Sequence, residues 1–285
     1  MKVKKDKRKI KAKTGFKKTF TEREKRTNIR LKKSIDDTAF EDGLQLEGRN
    51  AVLEALSNDK PIDKLFVKKG EIEGTLKVIV AKAREKGIIV SEIDKEKMAA
   101  MTRSGNNQGV IALCPAHEYA TVDDILERAA EKGEDPFIIV CDEISDPHNL
   151  GAIIRTAECC GAHGIIIPKR RAVGLSGIVS KTSAGALEFV PVARVTNLAR
   201  TLEELKKKNI WVICADMDGK PHFETDLTGP VAVVVGSEGE GVSSLLKQKS
   251  DIVTGIPMYG KITSLNASVS AALIMYEVVR QRKFK

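Results

Sequence analysis

Apolar runs of about five residues recur along the chain, and stretches with helical spacing of apolar positions fall between them. Residues 44–115 read as one alternating unit. The pattern predicts a helix over Arg49–Leu56, a strand near Ile62–Val67, a helix over Ile72–Glu85, a strand at Ile88–Ile93, a short helix around Met98 and a strand at Val110–Cys114. A polar connection, Tyr119–Asp135, carries one amphipathic helix around Ile125. A second alternation then opens with a strand at Phe137–Cys141 and a helix whose apolar side is Leu150, Ile153, Ile154, Ala157 and Cys160, with Asn149 placed to cap it. There follow a strand at Gly164–Ile167, a helix over Gly177–Ser183, a strand near Leu187–Val192, a helix over Leu198–Lys207 and a strand at Trp211–Ala215. Alternation of this kind predicts an α/β fold with a parallel sheet covered on both faces, and ligands in such sheets bind beyond the carboxyl ends of the strands.

The last fifty residues hold the most informative stretch. A fully apolar strand, Val231–Val235, runs into Gly236-Ser237-Glu238-Gly239-Glu240-Gly241, a short helix leads to a strand ending Ile256-Pro257-Met258, and Ser264-Leu265-Asn266-Ala267-Ser268 opens a long helix. Glycines in a turn after a buried strand let a ligand or another backbone approach closely. Two carboxylates disfavour a polyphosphate, and the glycine spacing is the reverse of the dinucleotide fingerprint, so the turn suits a neutral or cationic ligand. The final helix has two apolar stripes: Leu265, Val269, Ala272, Tyr276 and Val279, and beside it Ala267, Ala271, Ile274 and Val278. Two stripes need two partners, one of them the sheet and the other a candidate second subunit.

Charge changes the picture at one end. Residues 1–33 carry 16 Lys and Arg against Asp6, Glu22 and Glu24, a balance of +13 within a total of +9, which leaves −4 for residues 34–285. The basic tail lacks hydrophobic periodicity and reads as a disordered arm able to bind RNA phosphates. No apolar run is long enough for a membrane helix, and a secretory or transit leader is not in evidence, so a cytoplasmic protein is expected. The five cysteines lie in or beside apolar stretches and read as reduced core residues; neither they nor the histidines show metal-ligand spacing.

Three blocks, Asp142–Ala157 (DEISDPHNLGAIIRTA), the turn GSEGEG, and IPM followed by SLNASVSAA, resemble in order and spacing the three motifs of the SPOUT superfamily of RNA methyltransferases, TrmH-type branch. The segments GRNAVLEAL and NNQGVIA resemble the family's N-terminal substrate-binding domain, of L7Ae/L30e-like α/β fold, with Asn107 where relatives often have His. The resemblance implies a basic arm (1–40), an RNA substrate-binding domain (41–116), a linker (117–135) and a C-terminal α/β trefoil-knot methyltransferase domain (136–285) that forms a homodimer and binds S-adenosylmethionine in the knot. It also implies site residues. Arg155 matches the residue acting on a ribose 2′-hydroxyl; Asn149, Glu238, Ser264 and Asn266 match positions that line the site, Glu238 orienting Arg155; Gly236, Ile256 and Leu265 match those that hold the adenosine of the cofactor. The implied activity is 2′-O-methylation of a guanosine in bacterial 23S ribosomal RNA, without a metal. Transfer RNA is the alternative substrate, and a non-catalytic RNA-binding or ribosome-assembly protein is the rival class.

Overall fold

Residues 44–284 are described in a computed structural model; the basic arm lies outside them. Strand β1 (Leu44–Glu47) is followed by α1 (Arg49–Ser57), β2 (Lys64–Lys68), α2 (Thr75–Glu85), β3 (Ile89–Ile93), α3 (Lys95–Met101) and β4 (Val110–Cys114). The four strands form a sheet in the order β1-β4-β2-β3, with β2 and β3 parallel and β4 antiparallel to both β1 and β2. One face packs Val52, Leu56, Leu65 and Ile79, and the other packs Phe66, Met98, Met101 and Ile111 beneath α3. The hydrophobic pattern missed β1, because a four-residue strand on a sheet edge is too short to show a period. The two segments quoted for this domain meet each other. Gly48, at φ 90, offers no side chain to cap α1, and the Gln108 Oε1 accepts the Arg49 N–H at 3.0 Å instead. Asn107 Oδ1 closes the same loop on the Gly109 N–H at 2.8 Å.

The connection is partly helical. Helix α4 (Val122–Glu131) begins with a capping box between Thr121 and Asp124. Its Ile125 covers Gly164, where an added Cβ would stand 2.4 Å from the isoleucine Cγ1.

The second unit contains β5 (Phe137–Cys141), α5 (Pro147–Cys159), β6 (Gly164–Pro168), α6 (Gly177–Thr182), β7 (Val192–Val195), α7 (Leu198–Lys207), β8 (Trp211–Pro221), β9 (Val231–Val235), α8 (Ser244–Lys249), β10 (Ile252–Gly255) and α9 (Ala267–Lys283). Its six-stranded sheet runs β10-β8-β9-β5-β6-β7, and each strand pair is parallel. Strands β5 and β9 are buried at every position, as their unbroken apolar runs require when helices cover both faces. Three details depart from the pattern. The segment expected as a strand at Leu187–Val192 begins with a 3₁₀ turn at Ala186–Glu188, and pairing starts only after Pro191, which has no N–H to give the ladder. Strand β8 continues well past Ala215, and its pairing with β10 slips: Val253 faces Cys214, but Thr254 faces Lys220. The strand β10 ends at Gly255, so Ile256-Pro257-Met258 lies beyond it.

In α9 the stripe Ala267, Ala271, Ile274 and Val278 is buried, whereas Val269, Leu273 and Tyr276 remain exposed. The helix end is pinned by Gln281, whose amide accepts from the Leu227 N–H and donates to the Thr225 carbonyl, both at 2.8 Å.

The two units meet at a polar seam. Asp63 pairs with Arg194, and their side chains are 16% and 12% exposed. The Tyr119 hydroxyl donates to Asp63 at 3.2 Å and accepts the Leu175 N–H at 3.0 Å, and Arg194 lies over the Tyr119 ring. Gly174 leaves the necessary room, since a Cβ there would stand 2.4 Å from Asp63 Oδ2. Burial pushes the Asp63 carboxyl above its ordinary range, against the pull of the Arg194 guanidinium, and raises the Tyr119 phenol as well.

Candidate active site

The sheet order places β9, β5 and β6 side by side and parallel, so the loops that follow them open on one edge. After β5 the chain turns through Glu143 into α5. The cap of that helix is Asp146, whose carboxylate accepts the His148 N–H at 2.8 Å, with Pro147 in the first turn. Asn149 is therefore not the cap; it sits inside the first turn, buried. Its amide is freed from the helix end to reach sideways, and its Nδ2 donates to Glu238 Oε1 at 2.8 Å.

Glu238 stands on the turn after β9. That turn is closed by reciprocal backbone bonds between Ser237 and Gly241, at 3.1 and 3.0 Å. The closure depends on Gly236, whose missing Cβ would lie 2.0 Å from the Gly241 carbonyl carbon. The close neighbour that glycine admits is the chain's own backbone.

Asn266 is the cap of α9. Its Oδ1 accepts from the Ser268 N–H at 2.9 Å, the Ser268 hydroxyl at 2.6 Å and the Val269 N–H at 3.3 Å. The Nδ2 of the same side chain donates to Asn149 Oδ1 at 3.0 Å and to Glu238 Oε1. One residue from each of the three motif blocks thus joins a single cluster of two amides around one carboxylate oxygen. The other Glu238 oxygen takes no hydrogen bond among the described residues, which leaves a spare acceptor on an exposed side chain.

Arg155 and Ser264 do not join this cluster. Arg155 is exposed on α5, six residues beyond Asn149, so the two point about 120° apart round the helix axis. Glu238 does not contact it within the chain; the carboxylate is held by the two asparagines instead. Ser264 is exposed on the segment before α9.

Thr263, on the segment that leads to Asn266, lines a cavity of about 420 Å³ whose other walls include Met217, Gly219, Gly255, Ile256 and Met258. It opens where β8 bulges at the register slip, and two glycines permit the crossing: a Cβ on Gly219 would lie 2.5 Å from Thr254 backbone, and one on Gly255 would lie 2.8 Å from the Asp216 carbonyl. Ile256 lines this cavity, whereas Gly236 and Leu265 are not among its walls. The volume and apolar lining suit one small organic ligand.

Sequence reasoning passed over Asp142. It is buried, and its Oδ2 accepts the Ser243 N–H at 2.8 Å, which ties the end of β5 to the entry of α8. A carboxylate directly after a wholly apolar strand was the available signal. The cysteines divide: Cys141 and Cys214 are buried with thiols pushed up to about 12 by burial, but Cys159 is exposed and not a core residue.

This sheet, its helices on both faces and the motif-bearing edge define a methyltransferase domain of the SPOUT α/β knot fold behind a smaller α/β domain. Residues 136–276 match the SpoU rRNA Methylase family, and residues 45–120 match the RNA 2′-O ribose methyltransferase substrate binding family. A Bacillus subtilis protein, YacO, assigned to the TrmH family of tRNA/rRNA methyltransferases, is 49% identical over 82% of this chain and 94% of its own length. A TrmH-family relative from Staphylococcus haemolyticus is 43% identical over 82% and 94%. The SpoU methyltransferase AviRb of Streptomyces viridochromogenes superposes with a TM-score of 0.53 at 25% identity, covering 84% of this chain and 90% of that one. The chain belongs to the TrmH/SpoU family of tRNA/rRNA ribose 2′-O-methyltransferases. Among the described residues, no helix is long and apolar enough to cross a membrane.

Proposed function

We propose that the protein methylates the ribose 2′-hydroxyl of a guanosine in 23S ribosomal RNA, with S-adenosylmethionine as donor. The observation that carries the reading is the convergence of Asn149, Glu238 and Asn266, one from each motif block, on a single carboxylate oxygen. When bound, S-adenosylmethionine supplies a methyl group on positively charged sulfur, open to attack by oxygen. A solved AviRb structure is described as a complex with that cofactor. In this chain Ile256 and the backbone around Gly255 and Thr263 would form the walls of its site, and the apolar, glycine-crossed cavity fits it.

The rest is positioning. The second oxygen of Glu238 accepts the hydrogen bond of the ribose hydroxyl and takes its proton as the hydroxyl oxygen gains the methyl group, and the two asparagines fix that carboxylate so that little reorganisation is needed. Arg155, exposed on α5 and turned away from the asparagines, holds a phosphate of the RNA strand through its guanidinium. Ser264 and Leu265 shape the entry to α9, and Gly236 sets the position of the Glu238 turn. The smaller domain favours a large folded RNA, and the arm adds phosphate contacts. The uncovered stripe Val269, Leu273 and Tyr276 supports dimerisation through α9, checked by analytical ultracentrifugation.

The test is methyl transfer from labelled S-adenosylmethionine to 23S RNA, 16S RNA and tRNA, with the product nucleoside identified. Label in 2′-O-methylguanosine from 23S RNA alone, lost in Arg155→Ala, supports the reading. Label in tRNA keeps the chemistry and overturns the substrate; RNA binding without transfer favours the non-catalytic rival.

A further inference from the structure

Strand β6 ends at Pro168 and is followed by Lys169-Arg170-Arg171, three consecutive cations in a part of the chain whose net charge is −4. The loop opens on the same sheet edge as the site, one strand from the α5 entry and two from the Glu238 turn, about 10 Å across the sheet. It is held in place from four directions. The Lys169 N–H donates to the Val195 carbonyl at 2.8 Å, and its carbonyl accepts from Arg194 Nη2 at 3.2 Å. Further on, the Val173 N–H donates to the Ile144 carbonyl at 2.9 Å, and Arg171 pairs with Glu143 at 3.0 Å.

Two of these residues are strained. Arg171 has φ 59 and Glu143 has φ 54, left-handed backbone in residues that carry a Cβ. Such backbone is unfavourable for residues with a Cβ and gathers at ligand clamps and active sites. A solvated basic loop has no need of it. With Arg171 occupied by Glu143, the side chains of Lys169 and Arg170 take no hydrogen bond or ion pair among the described residues. Arg194 also links the loop to Asp63, so the smaller domain, the loop and the α5 entry are mechanically continuous.

We propose that Lys169 and Arg170 form a phosphate clasp for the substrate RNA strand beside the target ribose, with Glu143 and Arg171 as its fixed base. The proposal rests on RNA being the substrate. Its contacts are to phosphate and carry no base specificity, so they govern affinity and register of the strand.

The experiment uses the full chain, in vitro transcribed 23S RNA and labelled methyl donor, and compares wild type with Lys169→Ala/Arg170→Ala. A charge-matched control, Lys207→Ala/Lys208→Ala, removes two cations from the end of α7, at the opposite end of the sheet. Expected for the clasp variant are a KM for RNA about tenfold higher, kcat within about twofold at saturating RNA, and unchanged affinity for S-adenosylmethionine. The slope of log affinity against log salt should fall by about 1.4, for two phosphates on a single strand. A KM and salt slope equal to those of the control overturn the clasp, as does a loss confined to kcat. A wild type that binds RNA without transferring methyl sinks the functional reading instead, and the salt slope still decides the clasp.

Discussion

Gly236→Ala adds one methyl group at a point where the chain already touches itself. The new carbon would stand 2.0 Å from the Gly241 carbonyl carbon, 2.1 Å from its oxygen and 2.2 Å from the Val242 nitrogen. Ordinary contact needs about 3.5 Å or more, so the deficit exceeds an ångström, and all three obstacles are backbone. No rotamer can relieve it. The turn must open, which breaks the paired Ser237–Gly241 hydrogen bonds and carries Glu238 away from Asn149 and Asn266. Overpacking of this kind costs about 3 kcal/mol or more. Two neighbours serve as controls in the same turn. Gly239 has open space around its Cβ position and no positive φ, so Gly239→Ala should be nearly neutral. Gly241 also has open space but φ +67, so Gly241→Ala should cost about 1–2 kcal/mol from the left-handed backbone alone. Thermal unfolding reads the ranking, at roughly 2–4 °C per kcal/mol for a chain of this size, and calorimetric titration with S-adenosylmethionine and methyl transfer read the site. Gly236→Ala unfolding with the wild type, at wild-type activity, would refute the argument that this glycine is there for its own backbone.

Asn266→Asp keeps the acceptor that caps α9 but loses both donations and sets a second carboxylate beside Glu238; stability should fall by about 1 kcal/mol or less while methyl transfer falls about 100-fold. Equal losses of stability and activity would mean the residue is only a cap. Arg194→Ala strands the Asp63 carboxylate in the seam and should cost about 3–5 kcal/mol by denaturant unfolding, partly recovered in Arg194→Met/Asp63→Asn; a loss under about 1 kcal/mol would mark the pair as a surface one. His163 is buried, with Nδ1 accepting the Phe137 N–H at 3.0 Å and Nε2 at 3.2 Å from Glu134, so the neutral ring with its proton on Nε2 is the form that fits. Burial first, and then Lys132 nearby, hold its pKa below the ordinary histidine value of about 6.5. As pH falls the unfolded chain takes up this proton first, so the stability His163 contributes is complete above that value and is lost as pH drops through the folded one. Urea midpoints between pH 7.5 and 5 should fall less steeply for His163→Gln than for wild type, and parallel curves would contradict the assignment.

The strands β5 and β9 were legible because burial on both faces leaves no polar position to blur the pattern. The stripes of α9 were legible for a related reason: small and apolar residues at helical spacing show which sides need cover, and the structure covers one of them. The register slip of β8 on β10 was not, since Met217, Asp218, Gly219 and Lys220 read as a polar loop until their backbone is seen paired. The cavity made by that slip was invisible with it. Asp146 and Asn149 are both cap types, and the sequence reading puts the cap at Asn149; Pro147 in the first turn is the clue that places the cap before it. Nothing local announces the Asp63–Arg194 pair, whose members are 131 residues apart. The site residues came from motif resemblance, and only the hydrogen bonds separate the three that meet from Arg155 and Ser264.

Residues 256–266 leave β10, pass the cavity wall at Ile256, Met258 and Thr263, and end at Asn266. The segment is anchored by the sheet at one end and at the other by α9, packed along one face and locked through Gln281. The proposed donor and acceptor halves of the site are therefore spanned by one tether of fixed contour length. A single inserted or deleted residue in it changes the reach to both halves at once, so its length is constrained more tightly than the identity of its exposed side chains.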